Sequence, residues 1–99
     1  TCLGRTFAGR VAGSLLNAVG LPELITNTLE EYEALALELA QDGDALAAVR
    51  SKLAGNRASY PLFDTERMRR HVEAAYETMW QRYQRGQPPR GFAVPARDQ

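Results

Sequence analysis

Apolar positions recur at helical steps in several stretches of this chain, and the longest run lies toward the C-terminus. Across residues 64–85, Met68, Val72, Ala75, Tyr76, Met79 and Tyr83 repeat every three or four residues, while Arg67, Arg70, Glu73, Glu77 and Arg82 fall opposite. This pattern predicts an amphipathic helix of roughly 20 residues, about 30 Å long. Asp64 is a good cap acceptor, and Gly86 with Pro88 and Pro89 stops the helix. An apolar face of that length needs a broad partner surface, and the chain before it is short.

A second helical stripe, wider than a surface helix requires, runs through Phe7, Ala8, Val11, Ala12, Leu15, Leu16 and Val19 and predicts a helix over 7–19. Thr6 caps it and Gly20 ends it. Gly9 and Gly13 sit four apart inside it. Each interior glycine costs about 1 kcal/mol relative to alanine, so the pair points to close approach by another backbone. Ahead of it, residues 1–3 suggest the tail of a strand, and Gly4 turns the chain.

Between the two stripes, residues 23–26 carry a Leu-Ile pair and predict a short strand. Thr28 and Glu31 have capping-box spacing, opening a helix that Leu29, Tyr32, Leu35, Ala36 and Leu39 carry to residue 40 or 41. Asp42-Gly43-Asp44 is a tight turn whose last residue is expected to cap a third helix over 45–54, with Leu46, Val49 and Leu53 inward and Gly55 at its end. Residues 56–63 are expected to be extended, because Pro61 disfavours helix at Tyr60. The fold class that results is mainly α, four helices with at most one or two short strands. One subdomain spans 1–86 and a flexible tail 87–99.

Charge changes this picture little. Twelve basic and twelve acidic residues give no net charge, so no global field draws the chain to nucleic acid or to a membrane surface. From Glu23 to Asp44 there are seven acidic residues and no basic ones, which reads as a solvated helix face. Arg50 and Lys52 on the third helix could mimic a recognition helix, but the acidic helix before it argues against DNA. Arg67, Arg69 and Arg70 form a basic edge without interleaved aromatics. Cys2 is the single cysteine, so no internal disulfide forms, and the chain fits a reducing, cytoplasmic setting. No run of 18 apolar residues occurs. The chain does not start with methionine, and Thr1 reads as a cut point inside a longer protein.

Catalytic equipment is sparse. His71 lies beside Arg69 and Arg70 with no nearby cysteine or second histidine, so neither a metal site nor a catalytic dyad is expected there. Ser14, Ser51 and Ser59 lack the context of an activated nucleophile. The candidate binding spot is Gly4-Arg5-Thr6. A strand end, a glycine turn and a helix N-terminus together present backbone N–H groups and a positive dipole to an anion, and Arg5 adds charge; simple capping accounts for the same residues.

Several stretches taken in order resemble a known family. They are Gly4 through Leu16 (Gly-Arg-Thr-Phe-Ala-Gly-Arg-Val-Ala-Gly-Ser-Leu-Leu), Gly20-Leu21-Pro22-Glu23-Leu24-Ile25, Glu31-Tyr32, Arg50-Ser51-Lys52-Leu53, Ser59-Tyr60-Pro61-Leu62-Phe63-Asp64, and Met79-Trp80. Together they resemble the C-terminal end of the catalytic region of O-GlcNAc transferase-like glycosyltransferases, the SPINDLY-type enzymes in which tetratricopeptide repeats precede a GT-B region. The resemblance implies the C-terminal part of a Rossmann-like GT-B lobe, α/β in the parent protein. It also implies a UDP-sugar donor, a serine or threonine hydroxyl on a protein acceptor, and no metal ion or other cofactor.

The family's main donor-binding stretches are not among these residues, so no catalytic residue is expected here. Gly4, Arg5 and Thr6 would fall at the edge of the donor cleft, and Arg10 matches a family arginine expected to be structural. The expected role is to buttress the donor lobe, inactive alone, with the rest of the parent catalytic region as partner. The competing reading is an autonomous helical module that binds a protein partner through Met68, Tyr76, Met79 and Tyr83; in a truncated piece the same face is expected to drive self-association.

Overall fold

A computed structural model describes residues 1–96. It contains four α-helices, α1 (Phe7–Ala18), α2 (Leu29–Gln41), α3 (Gly43–Asn56) and α4 (Thr65–Gln84), with short 3-10 turns at Pro22–Leu24 and Pro61–Phe63. The mainly α class expected from the periodicity is what is found. The chain divides into two units, Thr1–Phe63 and a second that starts at Asp64.

In the first unit α1 begins where the sequence places it. The Gly9 N–H donates to Thr6 Oγ1 at 3.1 Å, satisfying one of the orphan donors of a helix start. It ends at Gly20, whose φ of 75° lies in the left-handed region that glycine reaches without penalty. What fixes this exit is chemistry from further along the chain. Asn56 Nδ2 donates to the carbonyls of Val19 and Gly20 at 2.9 and 3.2 Å, and the Tyr60 ring lies against Gly20. Val19 and Leu21 are the buried apolar side chains, with Thr26 the buried polar one. The core of this unit therefore sits at the exit of α1.

The short strand expected at 23–26 is not there. Pro22 opens a 3-10 turn instead, since its fixed φ suits a first helical position and its missing N–H costs nothing at one. Only Thr26 pairs, in an isolated parallel bridge with Cys2. The Leu3 N–H donates to the Thr26 carbonyl at 2.7 Å, and the Thr26 N–H to the Thr1 carbonyl at 2.8 Å. The Thr26 hydroxyl donates to that same Thr1 carbonyl at 2.6 Å. No strand forms among the described residues, yet residues 1–3, α1 and Thr26 have the connectivity of a parallel crossover unit.

Thr28 and Glu31 cap α2 as their spacing predicts, with one change of partner. Thr28 Oγ1 accepts from the Glu31 N–H at 3.1 Å, while the Glu31 carboxylate accepts from Asn27 at 2.9 Å. Two further expectations are corrected at α3. Its cap is Asp42 and not Asp44: one carboxylate oxygen accepts from both Asp44 and Ala45 N–H at 3.0 Å. Cap geometry needs the acceptor two or three residues before its donors. The helix also runs through Gly55 to Asn56, because a glycine inside a last turn weakens a helix without ending it.

Of residues 56–63, expected to be extended, Asn56 ends α3 and the rest form a turn and then a 3-10 turn opened by Pro61. Pro61 acts as Pro22 does. Lys52 Nζ meets Glu23 Oε1 at 2.9 Å, joining α3 to the Pro22–Leu24 turn, and holds the Glu23 carboxyl below its ordinary range.

In the second unit α4 forms as the stripe predicts. Asp64 Oδ1 accepts from the Arg67 N–H at 2.9 Å, and Gly86 with φ 70° follows the end of the helix. Arg69 pairs with both Glu66 and Glu73 along the helix, which raises the guanidinium's pKa and lowers that of Glu66. Trp80 and Tyr83 stack with ring centroids 5.6 Å apart. The Arg82 guanidinium lies over the Phe92 ring at 5.1 Å, so the described part of the expected tail returns to α4. Residues 97–99 of that tail lie outside the described residues.

Candidate functional site

The three residues named from sequence stand together on one turn. Gly4 closes on α1: its N–H donates to the Gly9 carbonyl at 2.9 Å. A Cβ placed on Gly9 would lie 3.0 Å from Gly4 Cα, and one on Gly4 would lie 3.3 Å from Gly9 Cα. The backbone approach that Gly9 implied is thus made by Gly4, five residues earlier. Gly13 serves a side chain instead, since a Cβ there would meet Leu3 Cδ1 at 2.8 Å.

This contact settles which groups on the turn remain available. The Gly4 N–H is engaged by Gly9, and the Thr6 hydroxyl accepts from Gly9. What faces outward is the Arg5 side chain, exposed along with Thr6, beside the positive end of α1. Of the anion-binding elements expected from sequence, the charge and the helix dipole are presented to solvent, while the glycine turn is used internally.

A groove of about 670 Å³ runs along α1 from this turn, lined by Leu3, Phe7, Val11 and Leu15 among others, with Arg10, Ser14 and Asn17 as its polar groups. Sequence reasoning did not assign those three to a common surface. The signal was available in their spacing, since 10, 14 and 17 fall on one side of a helix next to the apolar stripe. The Asn56 clamp was also missed, and nothing in a lone asparagine near a helix end marks it in advance.

His71 is half-buried on α4, and no group of three histidine, cysteine or acidic side chains gathers in metal-binding geometry among the described residues. No helix among them is long and apolar enough to cross a membrane.

With this geometry in view, comparison with known proteins gives a consistent result. The family model described as Glycosyl transferase family 41 matches residues 1–72. A probable UDP-N-acetylglucosamine--peptide N-acetylglucosaminyltransferase SPINDLY of Oryza sativa subsp. japonica is 43% identical over 89 residues, covering 90% of this chain and 10% of that protein. A probable UDP-N-acetylglucosamine--peptide N-acetylglucosaminyltransferase SEC of Arabidopsis thaliana is 44% identical over 88 residues, 88% of this chain and 9% of that protein. A UDP-N-acetylglucosamine--peptide N-acetylglucosaminyltransferase of Caenorhabditis elegans is 41% identical over 83 residues, 84% of this chain and 7% of that protein. The chain thus spans about a tenth or less of the length of these relatives. No solved structure matches.

Proposed function

The chain belongs to glycosyl transferase family 41, and we propose that it is the C-terminal part of the donor-binding lobe of a cytoplasmic O-GlcNAc transferase-like enzyme. That enzyme transfers a sugar from a UDP-sugar to serine or threonine hydroxyls of protein acceptors, without a metal ion. The observation that carries this reading is the match to the Arabidopsis thaliana relative, which takes in 88% of this chain at 44% identity and only 9% of that protein. Likeness over so small a share fits one part of a larger catalytic region.

In this reading the chain's own work is structural, and alone it is inactive. Its partners are the rest of the catalytic region and, through the whole enzyme, the protein acceptor. α1 backs the sheet of the lobe, and the glycine contact between Gly4 and Gly9 fixes the angle at which the chain leaves residues 1–3 and enters the helix. Arg5 and the N-terminus of α1 then stand at the edge of the donor cleft. Their positive charge favours the diphosphate of the donor, and they bind without taking part in bond making.

The test is a transfer assay on the polypeptide that carries this chain, with UDP-N-acetylglucosamine and a serine-containing peptide. Turnover by the longer polypeptide and none by the 99 residues alone is the expected result. Absence of transfer from any UDP-sugar by the longer polypeptide would overturn the reading.

A second reading, a helical module that associates through α4, is favoured by one observation. Met68, Tyr76, Met79 and Tyr83 are 63, 65, 52 and 73% exposed. Sedimentation equilibrium separates the two readings. A module is monomeric as the 99 residues alone, whereas a lobe fragment self-associates alone and loses that association once the rest of the lobe covers the face.

A further inference from the structure

Where α4 ends, the chain turns back and leaves a hollow beside the helix. Gly86, at φ 70°, donates its N–H to the Tyr83 carbonyl at 3.0 Å, and the Gln87 N–H reaches the Arg82 carbonyl at 3.0 Å. These two bonds close the last turn in the Schellman pattern. Pro88 and Pro89 follow, each with a fixed φ and no N–H, so this stretch is stiff and bonds to no ladder. Further on, Arg82 Nη1 donates to the Arg90 carbonyl at 3.5 Å, and the guanidinium lies over the Phe92 ring. The tail is held at both places, and residues 88 and 89 stand between them.

A groove of about 550 Å³ opens there, with Met79 and Tyr83 contributed by α4, Pro88 and Pro89 by the tail, and Arg82 and Arg90 as its charges. That volume lies in the range of pockets that hold compact ligands. Trp80 stacks on Tyr83, which steadies the ring that forms the wall. A smaller hollow of about 260 Å³ is lined by Gln87 and Pro88 with the same two arginines. The larger hollow is thus mostly apolar and the smaller one cationic, and no acidic side chain lines either.

Two electrostatic effects oppose each other at this spot. The C-terminus of α4 carries about half a negative charge, whereas the arginines bring two full positive ones. The arginines prevail, and the groove favours an anion. A guanidinium has five N–H groups, and the bond from Arg82 to the tail takes up one of them. Tyrosine and arginine are also the residues that most often dominate protein recognition.

We propose that this groove docks a peptide segment of a partner protein in which a large apolar side chain stands beside carboxylates. The apolar side chain enters between Tyr83 and the proline pair, and the carboxylates meet Arg82 and Arg90. Both walls come from residues 79–91, so the site stands beside either reading of the rest of the α4 face and takes no part in sugar transfer itself.

Fluorescence anisotropy tests it, with the full chain titrated into a dye-labelled peptide that carries one phenylalanine between aspartates. Binding is expected to weaken at least about tenfold when the phenylalanine becomes serine, and at least about fivefold when the aspartates become asparagines. Arg90→Glu should weaken it at least about fivefold as well, and should favour a peptide with lysines in place of the aspartates. The Arg90 carbonyl, not its side chain, holds Arg82, so this variant keeps the tail in place, and an unchanged thermal midpoint checks that it does. Equal affinity for the aspartate and asparagine peptides overturns the proposal. So does an unchanged affinity in Arg90→Glu, or no binding at about 1 mM. A dimer in sedimentation equilibrium that excludes the peptide would give the groove to a second copy of the chain, which overturns it too. Sugar transfer is scored separately. Peptide binding with these preferences but without transfer sinks the enzymatic reading and leaves the docking groove standing.

Discussion

The two helices with the broadest apolar stripes, α1 and α4, solve the same problem differently. α1 finds neighbours within its own unit: Gly4 against Gly9, Leu3 against Gly13, Tyr60 and Asn56 at its exit. α4 keeps good caps and intrahelical ion pairs, yet presents Tyr76, Met79, Trp80 and Tyr83 more than half exposed. Caps and pairs within one helix specify that it forms; contacts at long sequence separation specify where it packs. At the exit of α1 both kinds of information lie within the chain, although its first turn keeps Phe7 87% exposed; α4 carries the first kind along its length and asks for the second from outside its unit.

The sharpest way to break this comparison is at the exit of α1. Gly20→Ala forces a Cβ to within 2.2 Å of the Tyr60 ring at a φ of 75°, combining left-handed strain with overpacking. The expected loss is about 2–4 kcal/mol of unfolding free energy, measured by urea titration. Adding Tyr60→Ala to that variant removes the clash and leaves the strain, so the two changes should couple favourably. Additive losses would show that Tyr60 does not hold the exit.

Next comes α4. If its apolar face is covered in the longer polypeptide, Tyr83→Ser there lowers stability by about 1.5–3 kcal/mol, the worth of a buried large side chain. A change within about 0.5 kcal/mol, ordinary for exposed positions, would mean that the face stays open, and the contrast with α1 would have to be explained by a separate binding role.

Within α1 the two glycines separate by what they touch. A Cβ on Gly9 meets backbone, and one on Gly13 meets the far end of the Leu3 side chain. Backbone cannot move aside cheaply and a leucine methyl can. Gly9→Ala is therefore expected to cost about 1–2 kcal/mol, and Gly13→Ala less than about 0.5, its clash offset by the better helix propensity of alanine. Equal thermal midpoints for the two variants would remove the distinction.

These contrasts also mark what could be read in the sequence. Periodicity and capping are local, and so α1, α2 and α4 were legible almost to the residue through Thr6, Thr28 and Asp64. The turn at Asp42 was misread by two residues because Asp42 and Asp44 are both good caps and only backbone geometry chooses between them. Residues 23–26 and 56–63 differ from expectation for a shared reason: Pro22 and Pro61 each open a 3-10 turn, where a Leu-Ile pair and the restriction Pro61 places on Tyr60 pointed to extension. At the candidate site, Gly4, Arg5 and Thr6 were found together, but the internal use of the Gly4 N–H depends on a bond to Gly9 that no motif announces. Asn56 and Tyr60 act on residues about forty positions away, a distance at which sequence pattern carries no signal.

The weakest of the long-range ties is the pair between Lys52 and Glu23, and its size can be bounded. Both side chains are more than 40% exposed, so Lys52→Met should cost less than about 0.5 kcal/mol at low salt and nothing measurable at high salt. The pH dependence has a definite sign. The Lys52 hydrogen bond lowers the Glu23 pKa in the folded state below its ordinary 4.5, so the unfolded chain takes up a proton first as the solution is acidified. The contribution of the pair is complete above 4.5 and fades as pH falls through the folded value. The gap between the parent chain and Lys52→Met should therefore narrow on acidification, and chemical denaturation at neutral and acid pH measures it. A gap that widens in acid would show that Glu23 is held by something other than the lysine. It would also leave the Pro22–Leu24 turn tied to the rest of the unit only through α1 and the Thr1–Leu3 ladder.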